Sequence, residues 1–297
     1  MAGPLQAISF VLLFAVLSLV LPMLSLLSNA AIGLVSLRLG WQRGLSIAIP
    51  SAAILAGISL IAGADPLQSF ILSLVVWLPI VGLATILTKS VSWQWVLTSL
   101  FTVSVLGVGL FHLIVDNPIH FWQAQPEWQE FVSLLTEIQM LPADIEANTR
   151  QQILDGMAQI LMGSLVLTAN VLLVLSIIIA RFWQAQLYNP GGFKQEWLVL
   201  RVGQIPAIVI LGLIGLALFG GFPWAIDMVL AGLAVFIFQG LAMLHALAHA
   251  NQWHNVWLIA VYILLAALTV HIAILLGTLG IVDSFADFRK YFKANRN

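Results

Sequence analysis

Residues 66–87 read PLQSFILSLVVWLPIVGLATIL, 22 positions without a charged side chain. As an α-helix this stretch rises about 33 Å, enough to cross a hydrocarbon core of about 30 Å. No water is present there to satisfy a peptide group, so only helices and closed barrels span it. A barrel strand alternates apolar and polar residues, whereas residues 8–20 are nearly continuous apolar sequence. The reading is therefore helical.

Eight further apolar segments repeat the pattern, at residues 5–20, 22–37, 44–63, 93–115, 156–180, 202–219, 224–248 and 257–280. The expected fold is an all-α, polytopic transmembrane bundle of about eight to nine membrane segments. The segment at 22–37 is the weakest, because Ser25, Ser28 and Asn29 interrupt it; it is either short or a re-entrant piece buried in protein. Composition agrees, with 61% hydrophobic and 8% charged residues, against about 25% charged in soluble domains. Met1 to Pro4 carries no Lys or Arg and no A-x-A site follows, so the first stretch is expected to be retained. The chain has no cysteine, which removes disulfides, thiolate metal sites and thiol nucleophiles. No basic stripe or nucleic-acid module is present, so no nucleic-acid partner is expected.

Orientation follows the Lys/Arg bias of short loops. Arg38 and Arg43, then Lys89, then Arg181, Lys194 and Arg201 fall in loops on one side, which reads as cytoplasmic. The long loop at 116–155 faces outward and carries seven acids against Arg150. Within it, Trp128, Phe131, Leu135 and Ile138 recur at helical spacing after Pro126, which predicts an external amphipathic helix. It lies on the membrane or caps the bundle, or it acts as a lid. Three crossings after Arg201 would leave the C-terminus outside, yet Arg289, Lys290, Lys293 and Arg296 argue for inside. Either one late segment is re-entrant or the charge rule fails; a cytoplasmic tail is the expectation. The divisions are 1–115, an N-terminal membrane half; 116–156, the external acidic loop; 157–280, a C-terminal membrane half; and 281–297, a basic amphipathic tail.

Polar side chains inside a bilayer are costly and each needs a reason. Asn170, Gln239 and His271 lie well inside their segments, and Trp77 lies near a segment centre, away from the interfaces that the other tryptophans mark. These four are the candidate ligand-binding residues, lining a midplane cavity; the alternative is interhelical hydrogen bonding. His245 and His249 are one helical turn apart. With His254 and His271 they are weak candidates for metal ligation, without H-E-x-x-H or a neighbouring carboxylate, so no metal or cofactor is expected. Asp227, in the first turn of its segment, reads as a complement to the helix N-terminus or as a cation contact. Asp116 and His112 read as interfacial. Asp283 reads as the cap of a short interfacial helix, sharing a face with Asp287, with Phe285, Phe288 and Phe292 on the apolar side. Asn189-Pro190-Gly191-Gly192 reads as a turn.

Two resemblances follow. Phe238-Gln239-Gly240-Leu241-Ala242 through His245, Tyr262 with Leu264-Leu265, Gly280-Ile281-Val282-Asp283 with Asp287-Phe288-Arg289-Lys290, and Asn189-Pro190-Gly191-Gly192-Phe193 with Leu200-Arg201 resemble the YybS-like family of bacterial membrane proteins. The first five segments, with Pro22 and the Leu37-Arg38-Leu39-Gly40 turn, are similar to the substrate-binding S components of energy-coupling-factor vitamin transporters. S components that dock on a coupling subunit usually show small-xxx-small in the first helix; here Ala7 is followed by Val11. The resemblances imply a bacterial cytoplasmic (inner) membrane protein concerned with small-molecule binding or transport. The alternative is a membrane scaffold or assembly factor acting through the external helix and tail. No credible nucleophile or acid/base pair is present, so an enzyme is not expected. Expected partners are membrane lipids, a small-molecule ligand, or a protein at the external helix or tail.

Overall fold

The computed structural model describes residues 3–142, 144–286 and 288–289. Among these residues there are fourteen α-helices, one 3-10 turn and no strand. Seven helical stretches are long and apolar enough to cross a membrane.

The N-terminal helices are α1 (Pro4–Leu17), a 3-10 turn at Pro22–Leu24 leading into α2 (Ser25–Leu39), α3 (Trp41–Ile61), α4 (Pro66–Ser90) and α5 (Trp93–Ile114). Asp65 starts α4 by accepting the N–H groups of Leu67 at 2.8 Å and Gln68 at 3.3 Å, two donors that a helix start leaves open. Of the three polar residues that weaken the second segment, Ser28 and Asn29 are buried and partnered across helices, while Ser25 only bonds Pro22 O at the helix start. Ser28 Oγ donates to Val11 O at 3.1 Å, and Asn29 Oδ1 accepts from Trp77 Nε1 at 3.1 Å. The α1 residues Ala7 and Val11 are themselves buried within the chain.

The segment after α5 forms three short helices, α6 (Pro118–Gln123), α7 (Pro126–Glu137) and α8 (Ala147–Gln159). The expected amphipathic helix is α7. Its Trp128 and Leu135 pack with Leu141, Leu154 and Ala158 into a small core of their own, while Phe131 and Ile138 remain exposed. Residues 156–159, read from hydropathy as membrane sequence, belong to α8. The next long helix, α9, is Leu161–Tyr188.

The C-terminal helices are α10 (Gly192–Leu198), α11 (Gln204–Phe219), α12 (Pro223–Ala250), α13 (Val256–Ala267) and α14 (Thr269–Ala286). The most enclosed is α12, with 72% of its apolar window buried against 28–44% for the other six. It packs against α5, α9, α11 and α14. Its tightest crossing is with α14. A Cβ on Gly240 would strike the carbonyl oxygen of Leu276, and one on Gly280 that of Phe236. Glycine lets two backbones approach where any side chain would hold them apart.

The register of that crossing overturns the reading of residues 257–280 as one span. Leu233 lies against Gly277, Phe236 against Gly280, and Gln239 against Asp283 and Ser284. The two helices therefore run in the same direction, and the chain must return between them. It does so through α13, whose 12 residues rise only about 18 Å. The reversal is at Leu268, with φ −126° and ψ 48°. Hydropathy is blind to it, because both arms are apolar.

The described lysines and arginines, Arg150 excepted, gather at one end, where Glu196 and Asp283 pair with three of them. The α2, α4 and α9 helices run parallel, and their C-terminal turns meet. Thr88 Oγ1 and Gln184 Nε2 both reach Leu37 O at 3.5 Å, and Arg38 lies 4.4 Å over the Tyr188 ring. Arg38, Arg43, Lys89, Arg181, Lys194, Arg201 and Arg289 all fall at this end; Asp65, Asp227 and the acidic α6–α8 segment fall at the other. Large apolar side chains such as Val103, Leu106 and Leu110 face outward between the ends, as lipid contact requires.

The helix crossing is directly testable. Gly240→Ala or Gly280→Ala should each lower stability by about 1–3 kcal/mol, seen as a lower melting temperature in detergent. Gly57→Ala, whose Cβ would meet nothing within 4 Å, should be neutral or stabilising.

Candidate functional site

Three buried polar clusters tie the bundle together at different depths. At the acidic end, Asp227 is wholly buried. Its Oδ1 accepts the Gly163 N–H at 2.9 Å and its Oδ2 accepts from His112 Nε2 at 2.8 Å. Asp227 therefore caps the first turn of α9, not of its own helix, and His112 faces the protein, not an interface. Gly163 leaves room for it: a Cβ there would lie 2.6 Å from Asp227 Cα.

Deeper in, Asn170 Nδ2 donates to Ser104 Oγ at 2.8 Å and to Ala231 O at 2.9 Å. This joins α5, α9 and α12. At the basic end, Gln239 Oε1 accepts the Val202 N–H at 2.8 Å, and its Nε2 donates to Asp283 Oδ2 at 3.0 Å and Ser284 Oγ at 3.2 Å. Arg201 Nη2 donates to Asp283 O at 2.6 Å, and Arg289 Nη2 lies 3.4 Å from Asp283 Oδ2. Asp283 is fully buried inside α14, which continues to Ala286, so it does not cap an interfacial helix. Asp287, Lys290, Phe292, Lys293 and Arg296 lie outside the described residues.

The four expected ligand residues are not brought together. Asn170 aligns with Ala231, eight positions before Gln239 on α12, which is about 12 Å along the axis. Trp77 pairs with Asn29 between α4 and α2. His271 is exposed on α14.

The space suited to a ligand lies at the basic end. A pocket of about 740 Å³ opens between α10, the C-terminal turns of α12 and the start of α13, lined by Lys194, Trp197, His245, His249, Trp253 and Arg289 among others. Among the described residues, no carboxylate lines it. The wall formed by α10 is held by Glu196, which accepts from Arg181 through both oxygens and from Trp93 Nε1 at 3.1 Å. The expected turn at 189–192 delivers α10. Gly192 N–H donates to Asn189 O at 3.0 Å, and Gly191 sits at φ +88°, where only glycine is unstrained.

His245 packs edge-on against Trp197, with ring centroids 6.0 Å apart. Its Nδ1 lies 2.8 Å from Leu241 O. A carbonyl only accepts, so Nδ1 carries a proton, and Nε2 lies 3.3 Å from the Tyr262 hydroxyl. His245 thus fastens α13 to α12. Among the described residues, no group of three or more His, Cys, Asp or Glu side chains is arranged to hold a metal ion.

Beyond the Trp197–His245 pair lies a second, apolar hollow of about 310 Å³, lined by Leu175, Ile178, Phe193, Phe238, Leu241 and Tyr262. Lys194, Trp197 and His245 line both spaces. Sequence reasoning used Lys194 and Trp253 only as topology markers. Their spacing gives no sign that α10 folds back over α12. No protein-family model matches the chain, and no curated protein or solved structure matches it.

The clusters differ in what they would cost to break. Asn170→Leu leaves Ser104 free to bond its own helix and should cost within about 1 kcal/mol. Gln239→Leu strands the buried Val202 N–H and removes a donor from buried Asp283, so about 2–5 kcal/mol is expected. Thermal unfolding of the two variants side by side measures the gap; equal costs would contradict the assigned network.

Proposed function

We propose that this chain is a non-catalytic, multi-pass protein of a bacterial cytoplasmic membrane that binds a small molecule at its basic end, in a transport-related role. The observation that carries the reading is the pocket of about 740 Å³ between α10, α12 and α13, with two tryptophans and several cationic or imidazole groups in its wall. Ligand sites are concave, largely apolar and furnished with a few polar groups. The buried amides at Asn170 and Gln239 already bond other helices, which favours the pocket over a midplane cavity. The bacterial assignment leans on the YybS-like resemblance. The small-molecule role also draws on the similarity to transporter S components.

A second reading is a scaffold without ligand. It is favoured by the α6–α8 segment, which carries its own core around Trp128, Leu135 and Leu154 and so offers a partner a preformed surface.

Ligand binding is tested by native mass spectrometry of the full chain after gentle extraction. A retained small molecule is expected, and Ala246→Trp, which fills the pocket from α12, should release it. Identical spectra for the parent and the variant would favour the scaffold.

Orientation is tested separately. The Lys/Arg bias puts the basic end in the cytoplasm. In this cysteine-free chain, an impermeant thiol reagent added to intact cells should label Glu137→Cys and spare Lys89→Cys. The reverse pattern would invert the molecule.

A further inference from the structure

We propose that the ligand is an anionic amphiphile drawn from the membrane, with its phosphate head in the basic pocket and its hydrocarbon chain in the adjoining apolar hollow. The inference rests on the pocket being the ligand site and adds the chemical class of what it holds.

Charge complementarity supplies the first argument. Lys194, His249 and Arg289 line the larger space, and no carboxylate of the described residues does. Among the described acids, Glu196 is engaged by Arg181 and Trp93, and Asp283 by Gln239 and Arg201. Lys194 is exposed and makes no ion pair among the described residues. Arg289 faces the pocket while lying 3.4 Å from Asp283 Oδ2.

Shape supplies the second argument. The basic pocket and the apolar hollow share Lys194, Trp197 and His245 as a common wall. On the far side of that wall the lining is Leu175, Ile178, Phe238 and Leu241, with Tyr262 at 47% exposure on the outward side. A polar anion alone would leave this hollow without use, and a neutral hydrocarbon would leave the cations without use. One molecule with both ends suits both spaces. Trp197, an amphipathic indole, stands at the join, where head and chain would meet.

Native mass spectrometry of the full chain in neutral detergent provides the test, with dioleoyl phosphatidylglycerol, dioleoyl phosphatidylcholine and glycerol phosphate as probes. Phosphatidylglycerol should bind most tightly, and Lys194→Ala should weaken it about tenfold or more, the scale of a lost charged hydrogen bond. The same variant should weaken phosphatidylcholine, whose phosphate is offset by its own choline cation, clearly less, with the melting temperature held as a control on folding. Ile178→Trp, which fills the hollow, should weaken both lipids. Equal binding of the two lipids, insensitive to Lys194→Ala but lost in Ile178→Trp, would overturn the anionic class while leaving the pocket standing. Glycerol phosphate binding as tightly as the lipid would overturn the membrane source. Binding of no probe, with Ile178→Trp and Ala246→Trp both silent, would overturn this proposal and the pocket reading together.

Discussion

Two glycines, Gly240 and Gly280, let the backbones of α12 and α14 touch, and the rest of the C-terminal half depends on that contact. The helices meet in parallel, so the chain must double back through α13 at a depth that a single span would not allow. Parallel contact also brings Asp283 and Ser284 beside Gln239, whose other face holds the Val202 N–H. Through that amide and through Arg201, the start of α11 is fixed to α12 and α14. The connection from α9 to α11, which includes α10, is then anchored at both ends, and α10 becomes a wall of the pocket.

Much of the bundle is legible in hydropathy because lipid imposes a simple rule on long helices. The segments at 44–63, 66–87, 93–115 and 224–248 correspond closely to α3, α4, α5 and α12. Direction and partner are not subject to that rule. Nothing at Leu268 marks a reversal: no proline or glycine is there, and apolarity continues on both sides. Asp283 looks like an interfacial cap by its neighbours Phe285 and Arg289, yet it is buried because a residue 44 positions away supplies its amide donor. Asp227 reads locally as a complement to its own helix start or a cation contact and instead caps α9, since a long-range approach at Gly163 is invisible to local sequence. Asn170 and Gln239 stand out in sequence as polar groups inside apolar segments, and Trp77 as a tryptophan away from the interfaces; the packing gives each a different partner.

The pocket was the least legible feature. Its lining brings together Lys194 of α10, the imidazoles of His245 and His249 near the end of α12, and Arg289 beyond α14, and only the fold gathers them. The basic residues that a positive-inside argument uses for orientation also serve at that same end to furnish a binding surface. One set of charges can do both, because a short basic loop at the interface is also where anionic head groups reside.

The central claim is that the basic end holds a small molecule in the pocket walled by α10, α12 and α13. A cryo-electron microscopy map of the full chain in lipid nanodiscs tests it most directly. The account predicts non-protein density between Trp197 and Trp253 within hydrogen-bonding reach of Lys194 or Arg289, and continuous with the hollow beside Leu241. A map in which α10 and α13 close against α12 and leave no such space would contradict it.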